Sequence, residues 1–373
     1  MGRESVDAKT LREWLARGDE VTVADVRRAE DHAEWSVPGS VNLDAYDRLK
    51  AGDPGAMEGL DLPGDRPVVT VCGAGRSSAV AAEQLRKQGY DALTLEGGMK
   101  AWGLAWNTAD VPAGGGGVEV VQVRRTGKGC LSYLVGSGGE AAVIDASVEP
   151  EVYLDLAEEH DLTITRVLDT HVHADHFSRS KALAELAGAE LHMPEGAPVS
   201  YPFSPLADGD EIQTGEVGLR AVATPGHTPE STSYLLDGGA ASEALFTGDT
   251  LFLSAVGRPD LGADTEGARG KARALHGSLR RLLELDPDTL VLPGHTGEPV
   301  PFDGRPVAAP LSEIRNDTPL LGRDEGAFVE KLAGLASPAP ENHERIVDLN
   351  KSGKPPEGNP AELEAGANRC AAG

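Results

Sequence analysis

Nowhere in the chain do about 18 apolar residues run together, so no membrane-spanning helix is expected. Arg3, Glu4, Asp7, Lys9, Arg12 and Glu13 crowd the first residues with no apolar core behind them, which argues against a secretory leader. Cysteine is scarce: Cys72, Cys130 and Cys370 are the only three. That is too few for a disulfide framework, and with the missing leader it predicts a cytoplasmic protein whose thiols stay reduced. Positive charge is also short. There are 34 Lys and Arg, only 10 of them Lys, against 60 Asp and Glu, for a formal net charge of −26. Such a surface repels phosphate, which excludes nucleic acid and anionic membranes as partners. The bias fits a saline host and equally fits GC-rich coding.

The chain does have enough apolar material to bury real cores. Of its 373 residues, 40% are hydrophobic and 25% charged, values of a globular protein of at least two domains. Residues 107–118 read Asn-Thr-Ala-Asp-Val-Pro-Ala-Gly-Gly-Gly-Gly-Val. A proline followed by a glycine run holds no regular element cheaply. This divides the chain into a first domain at 1–107, a linker at 108–117 and a second domain at 118–373, with no internal repeat.

In the first domain strands alternate with helices. Leu11, Trp14 and Leu15 form a helical stripe stopped by Gly18, and Val80, Ala81 and Leu85 mark a helix over 77–89. Apolar runs at 21–26, 41–43, 67–71 and 92–95 read as strands. That alternation predicts a parallel α/β sheet. The second domain opens with strands at 118–123, 131–135 and 141–144, then alternates helices at 151–160, 181–187 and 268–284 with strands at 164–168, 217–223, 232–236, 244–246 and 290–292. Two sheets with helices outside are predicted. The tail after about Ser337 is rich in Pro, Glu and Asn and reads as partly extended.

Cys72 ends a strand and enters Gly73-Ala74-Gly75-Arg76-Ser77-Ser78 before a helix. Small residues let such a loop turn tightly, so backbone N–H groups can point at the sulfur. The helix N-terminus and Arg76 add positive potential. Together they favour a thiolate and the binding of a persulfide or an anionic donor, against the blander alternative of a small cysteine buried at a strand end. With Asp25-Val26-Arg27, Val37-Pro38-Gly39-Ser40-Val41-Asn42 and Gly97-Gly98-Met99-Lys100-Ala101-Trp102, the loop resembles the rhodanese sulfurtransferases over most of residues 5–106. The resemblance implies that Cys72, assisted by Arg76, accepts a sulfane sulfur and passes it on, with Gly73, Ala74, Gly75 and Ser77 contacting the substrate. Arg76 stands one position earlier than in many single-domain members, which bears on donor preference.

A second constellation lies in loops that follow strands: His171-Val172-His173-Ala174-Asp175-His176, His227 in Thr224-Pro225-Gly226-His227, Asp249 in Thr247-Gly248-Asp249, and His295 in Pro293-Gly294-His295. Loops leaving one sheet edge converge, and imidazoles with carboxylates are ligands for Zn, Fe or Mn. The remaining histidines, His32, His160, His192, His276 and His343, read as surface or core residues. The constellation resembles the metallo-β-lactamase superfamily over about residues 118–300, and hence an αβ/βα sandwich. Phe246-Thr247-Gly248-Asp249-Thr250-Leu251-Phe252 and Gly257-Arg258-Pro259-Asp260-Leu261 resemble its persulfide dioxygenase branch.

That resemblance implies one Fe(II) per chain on His171, His227 and Asp249. His173, Asp175, His176 and His295 would orient those ligands or form an unoccupied second site. The implied reaction consumes O2 and a thiol persulfide of the glutathione type and yields sulfite. Cys72 would exchange sulfur with thiosulfate or sulfite. The branch often forms dimers, so a homodimer is expected. A glyoxalase II-like thioester hydrolase with two Zn has the same kind of ligand set and is the alternative; a non-catalytic persulfide-binding or sensing module is another. The Gly-Arg-Pro-Asp segment, a region after Gly297 unlike the glutathione-binding part of glyoxalase II, and the fused sulfurtransferase favour the dioxygenase. Arg258 is expected to pair with Asp260, or else with a substrate carboxylate. Cys130 is expected to pack as a small hydrophobe, and Cys370 to be exposed in the tail without a role.

Overall fold

The computed structural model describes all residues except 1, 2, 114, 116, 238–242, 335–338, 367 and 373. Two glycines of the expected linker and Ser337 at the start of the tail lie outside them. Among the described residues no helix is long and apolar enough to cross a membrane.

The first domain is built on a five-stranded sheet in the order Ser5–Val6, Ala92–Leu95, Val68–Val71, Thr22–Asp25, Val41–Asn42, every pair parallel. Side chains alternate across a strand, and both faces here are covered. Ala24, Val68 and Ala92 pack with Leu85 of the helix Arg76–Lys87. Val23, Val69, Val71, Leu93 and Leu95 pack with Leu11 of the helix Ala8–Arg17 and with Trp102. This explains why the strands read as continuous apolar runs. Gly18 caps the first helix at φ 70°, as the stripe predicted.

The second domain is a sandwich of two sheets. One has seven strands in the order Ser204–Leu206, Glu190–Pro194, Thr163–Leu168, Glu140–Ile144, Cys130–Ser137, Val118–Arg125, Asn107–Asp110. The other has six, in the order Glu211–Thr214, Val217–Ala223, Thr232–Leu236, Ala244–Gly248, Leu290–Pro293, Ala309–Pro310. Their inner faces meet through Tyr133, Val135, Ile144 and Leu168 on one side and Leu219, Tyr234, Phe246 and Leu292 on the other. The outer face of the first sheet carries the helices Pro150–Glu159 and Ser180–Ala187 through Tyr153, Leu156 and Leu183. The outer face of the second carries Thr265–Leu282 and Glu325–Ala333 through Leu275, Leu279 and Phe328. The αβ/βα layering is as expected.

Two expectations need correction. The segment 108–117 begins with a strand rather than a linker: Asn107–Asp110 pairs antiparallel with Val118–Arg125, Asn107 opposite Arg124. Polar Asn-Thr-Ala-Asp hides the strand because its buried Asn107 is matched by polar partners, accepting from Arg124 Nε at 2.6 Å and donating to the Pro301 carbonyl at 3.2 Å. The tail is not extended either. It forms the helices His343–Ser352 and Pro360–Leu363 and the short strand Ala371–Ala372, which pairs with Val256–Gly257.

Candidate active sites

The metal-ligand candidates sit where strands of both sheets end. Thr163–Leu168 leads to Asp169-Thr170-His171, Val217–Ala223 to His227, Ala244–Gly248 to Asp249, and Leu290–Pro293 to His295. All seven side chains of the motif are buried. The close approach of these loops needs glycine at 248: its φ is +48°, and a Cβ there would lie 2.4 Å from Thr170 Oγ1.

The seven do not form one cluster. His171, His227 and Asp249 converge, with one ligand atom of each inside a common 4.8 Å. Asp249 Oδ2 lies 3.8 Å from His171 Nε2 and 3.6 Å from His227 Nε2. Bonds of about 2.1 Å to one ion put neighbouring ligand atoms roughly 3.0–3.4 Å apart, so the three need only a small contraction. The rings are aimed from behind. His227 Nδ1 donates to the Arg258 carbonyl at 2.9 Å, and His171 Nδ1 contacts Thr170 Oγ1 at 2.9 Å. The Thr170 hydroxyl itself donates to Asp145 Oδ2 at 2.8 Å, so it must accept from His171. Both Nε2 lone pairs are thereby turned inward. His171 Nε2 and Asp249 Oδ2 are buried without a hydrogen-bond partner. Buried polar atoms are rarely left unmatched, and a cation supplies what these lack. Burial, followed by His173, holds the His171 pKa well below its ordinary value, the neutral form a ligand requires.

The other four pair among carboxylates, although His173 Nδ1 and His176 Nε2 are also buried without a hydrogen-bond partner. His173 Nε2 faces Asp145 Oδ1 at 3.2 Å. His295 bridges two carboxylates, Nδ1 to Asp249 Oδ1 at 2.5 Å and Nε2 to Asp175 Oδ2 at 2.7 Å. Burial opposes a charge on His295, but Asp175 and Asp249 outweigh it and hold the ring protonated, its pKa well above the ordinary range. His176 Nδ1 contacts Asp175 Oδ1 at 3.0 Å.

Both remaining cysteines correct the sequence reading. Cys130 is no simple packing residue: it makes a buried cluster with Asp175, His176 and His295, its sulfur 3.5 Å from Asp175 Oδ2. Burial and then Asp175 push its pKa up, but His176 and His295 reverse this and bring it to about 6. Cys370 is buried, not exposed, and lies with Asp249 and His295. Burial, then Asp249 and Asp175, push its pKa well above the ordinary thiol value. Arg258 is committed to Asp260 through Nε at 2.8 Å and Nη2 at 2.6 Å, and to the Arg369 carbonyl at 3.1 Å, so it fixes this loop and the C-terminal segment.

Sequence reading also missed Asp145, Thr170 and Asn350. Asp145 follows the strand Glu140–Ile144 at the same sheet edge and holds a left-handed φ of 55°, a strained position typical of functional loops. Asn350, from the tail, donates to the carbonyls of His173 and His176 at 2.9 Å each and accepts from Ser178 N at 2.9 Å. Beside His227 opens a cavity of about 650 Å³ lined by Val172, Val347, Lys271, Lys351, Glu230 and Asp348 among others.

In the first domain Cys72 ends the strand Val68–Val71, and its loop closes on the helix Arg76–Lys87 with Gly75 at φ 84°. Burial pushes the thiol up, but the Ser78 hydroxyl and the N–H groups of Ser78, Ala74 and Gly75 outweigh it, leaving the pKa lowered. The Ser78 Oγ–Cys72 Sγ distance is 3.4 Å. A Cβ on Gly98 would lie 2.1 Å from the Cys72 carbonyl, so the Gly97-Gly98 pair lets a second loop clamp the first. Gly73, Ala74, Arg76 and Ser77 line the cavity at the sulfur, and Gly75 does not.

A cysteine cradled by backbone N–H groups on a parallel α/β sheet, followed by a sandwich with a buried His/His/Asp cluster, defines a sulfurtransferase-type domain joined to a metal-binding hydrolase fold. The Rhodanese-like domain family matches residues 7–105 and the Metallo-beta-lactamase superfamily residues 125–295. The chain belongs to the metallo-β-lactamase superfamily and carries a rhodanese-like domain in front of it. It is 36% identical over 173 residues to a hydroxyacylglutathione hydrolase of Anaeromyxobacter dehalogenans, covering 46% of this chain and 63% of that protein. It is 28% identical over 237 residues to human mitochondrial persulfide dioxygenase ETHE1, covering 59% of this chain and 82% of that one. The crystal structure of ETHE1 from Myxococcus xanthus superposes with a TM-score of 0.53 at 31% identity, covering 62% of this chain and 97% of that one. The chain spans 63% and 57% of two of the hydroxyacylglutathione hydrolases it matches.

Proposed function

We propose that the second domain is an iron-dependent persulfide dioxygenase and that the first passes sulfane sulfur through Cys72. One observation carries this reading. His171, His227 and Asp249 turn ligand atoms to a common point with His171 Nε2 and Asp249 Oδ2 unpartnered, while His173 is tied to Asp145 and His295 is bonded through both ring nitrogens to Asp175 and Asp249. Two histidines and one carboxylate suit Fe(II) and leave open positions beside it. Fe(II), when bound, supplies the redox chemistry that joins O2 to the persulfide sulfur, with sulfite and the free thiol as products.

The remaining steps fall to the chain's own residues. Thr170 and the Arg258 carbonyl keep the two imidazoles neutral and aimed. His295 holds Asp249 by its other oxygen, leaving Oδ2 for the ion. The cavity beside His227 receives a low-molecular-weight thiol carrier of the glutathione type, Lys271 and Lys351 meeting its carboxylates and Glu230 and Asp348 its ammonium group. In the first domain, the thiolate of Cys72 exchanges sulfur with thiosulfate or sulfite. The similarity to the two ETHE1 proteins supports the assignment.

A dinuclear zinc thioesterase is the second reading. It is favoured by the hydroxyacylglutathione hydrolases among the relatives and by the cluster of Cys130, Asp175, His176 and His295. Oxygen uptake on adding glutathione persulfide to iron-loaded protein distinguishes the two.

A further inference from the structure

Cys72 opens into a cavity of about 440 Å³ whose far wall comes from the other domain. On the near side stand Asp31, Arg76 and Lys100; on the far side stand Glu341, Ala365 and Gly366 of the C-terminal tail. Among the described residues, the side chains of Asp31, Arg76, Lys100 and Glu341 make no hydrogen bond or ion pair. Two exposed cations and two exposed carboxylates thus line the cavity at the nucleophile, free to meet a ligand.

The far wall is firmly held. Glu364, its side chain fully buried, bridges Arg125 at 2.5 Å and also pairs with Arg179. Arg125 Nε in turn donates to the Gly103 carbonyl of the first domain at 2.8 Å. Trp35 Nε1 donates across the boundary to the Thr126 carbonyl at 3.2 Å, and Arg369 pairs with Glu34 at 2.5 Å. A wall fixed by buried ion pairs is part of the site rather than a chance neighbour.

Thiosulfate needs little of this. It is a small dianion, served by Arg76 and the loop N–H groups, and carboxylates across the cavity repel it. A volume of this order belongs to a small organic ligand, and opposed charges call for a ligand that carries both signs. We propose that the tail of the second domain completes an acceptor subsite at Cys72, and that this subsite takes a zwitterionic thiol bearing both carboxylate and ammonium groups. The proposal rests on Cys72 being the sulfur carrier. The acceptor's thiolate attacks the outer sulfur of the Cys72 persulfide. The new S–S bond forms as the bond to Cys72 breaks, and the bonding pair leaves with Cys72 as its thiolate. The acceptor departs as a persulfide, and no external oxidant or reductant is needed.

The test uses the full chain with thiosulfate as donor and three acceptors: glutathione, neutral 2-mercaptoethanol and cyanide. Glu341→Lys, at an exposed position, should lower kcat/KM for glutathione relative to 2-mercaptoethanol by ~10-fold, through KM. Ala365→Trp, which fills the cavity, should lower both thiols relative to cyanide. Equal selectivity among the three acceptors in wild type and both variants would overturn the composite subsite. If the wild-type chain forms no thiocyanate from thiosulfate and cyanide, the Cys72 reading itself falls, and the subsite with it.

Discussion

His295 stands between Asp175 and Asp249, 2.7 Å from one carboxylate and 2.5 Å from the other. A ring bonded through both nitrogens has no lone pair for a metal, and its two bonds tie the His171 loop to the Asp249 loop. His295→Asn should therefore keep about one metal per chain while lowering oxidation ~10–100-fold, the range found when a partner behind a ligand is lost. Metal analysis and oxygen uptake on one preparation check this. Loss of a second ion in the variant would favour the dinuclear site.

Asp249 supplies the only carboxylate of the converging trio. Asp249→Asn should strip the ion and reduce oxygen uptake to background. Thiocyanate formation through Cys72 should persist in that variant, and Cys72→Ser should show the reverse pattern. Loss of both activities in either variant would contradict two independent sites.

The lowered pKa of Cys72 has a defined pH consequence. Burial raises it, while the Ser78 hydroxyl and three loop N–H groups lower it further. Ser78→Ala removes one of those donors, so the acid limb of the sulfur-transfer rate should move to higher pH. The stability sign follows. With the folded pKa below the unfolded one, the unfolded chain binds more protons between the two values, so stability rises with pH there and is lost as pH falls through the folded pKa. Ser78→Ala should flatten that rise in thermal unfolding measured across pH.

Asn350 satisfies two carbonyls and one N–H of the metal-motif loop from a helix of the tail. Asn350→Ala strands those buried groups and should cost about 2–4 kcal/mol in denaturant unfolding, while also weakening metal affinity. An unfolding midpoint equal to wild type would show that the tail does not support the site.

The sequence carries the sheets and the catalytic motifs because they are local. Val68–Val71 is apolar throughout since both its faces are covered, and each ligand loop follows its strand directly. The sorting of the seven ligands is not local. It depends on Asp145 turning His173 aside and on Asp175 and Asp249 sharing His295, pairings between segments far apart in the chain. The tail was misread for the same reason. Its polar residues do their work as partners: Asn350 binds loop carbonyls, Glu364 sits between two arginines, and Cys370 is covered by the site it closes. Composition reports polarity, and says nothing of which polar residue finds a buried partner.

The most direct measurement is oxygen uptake by anaerobically iron-loaded protein on addition of glutathione persulfide, with metal content read on the same sample. Oxygen consumed with sulfite formed, at about one iron per chain, is the expected result for a trio of two histidines and one carboxylate. No uptake, with about two zinc per chain and thioester cleavage in its place, would contradict it.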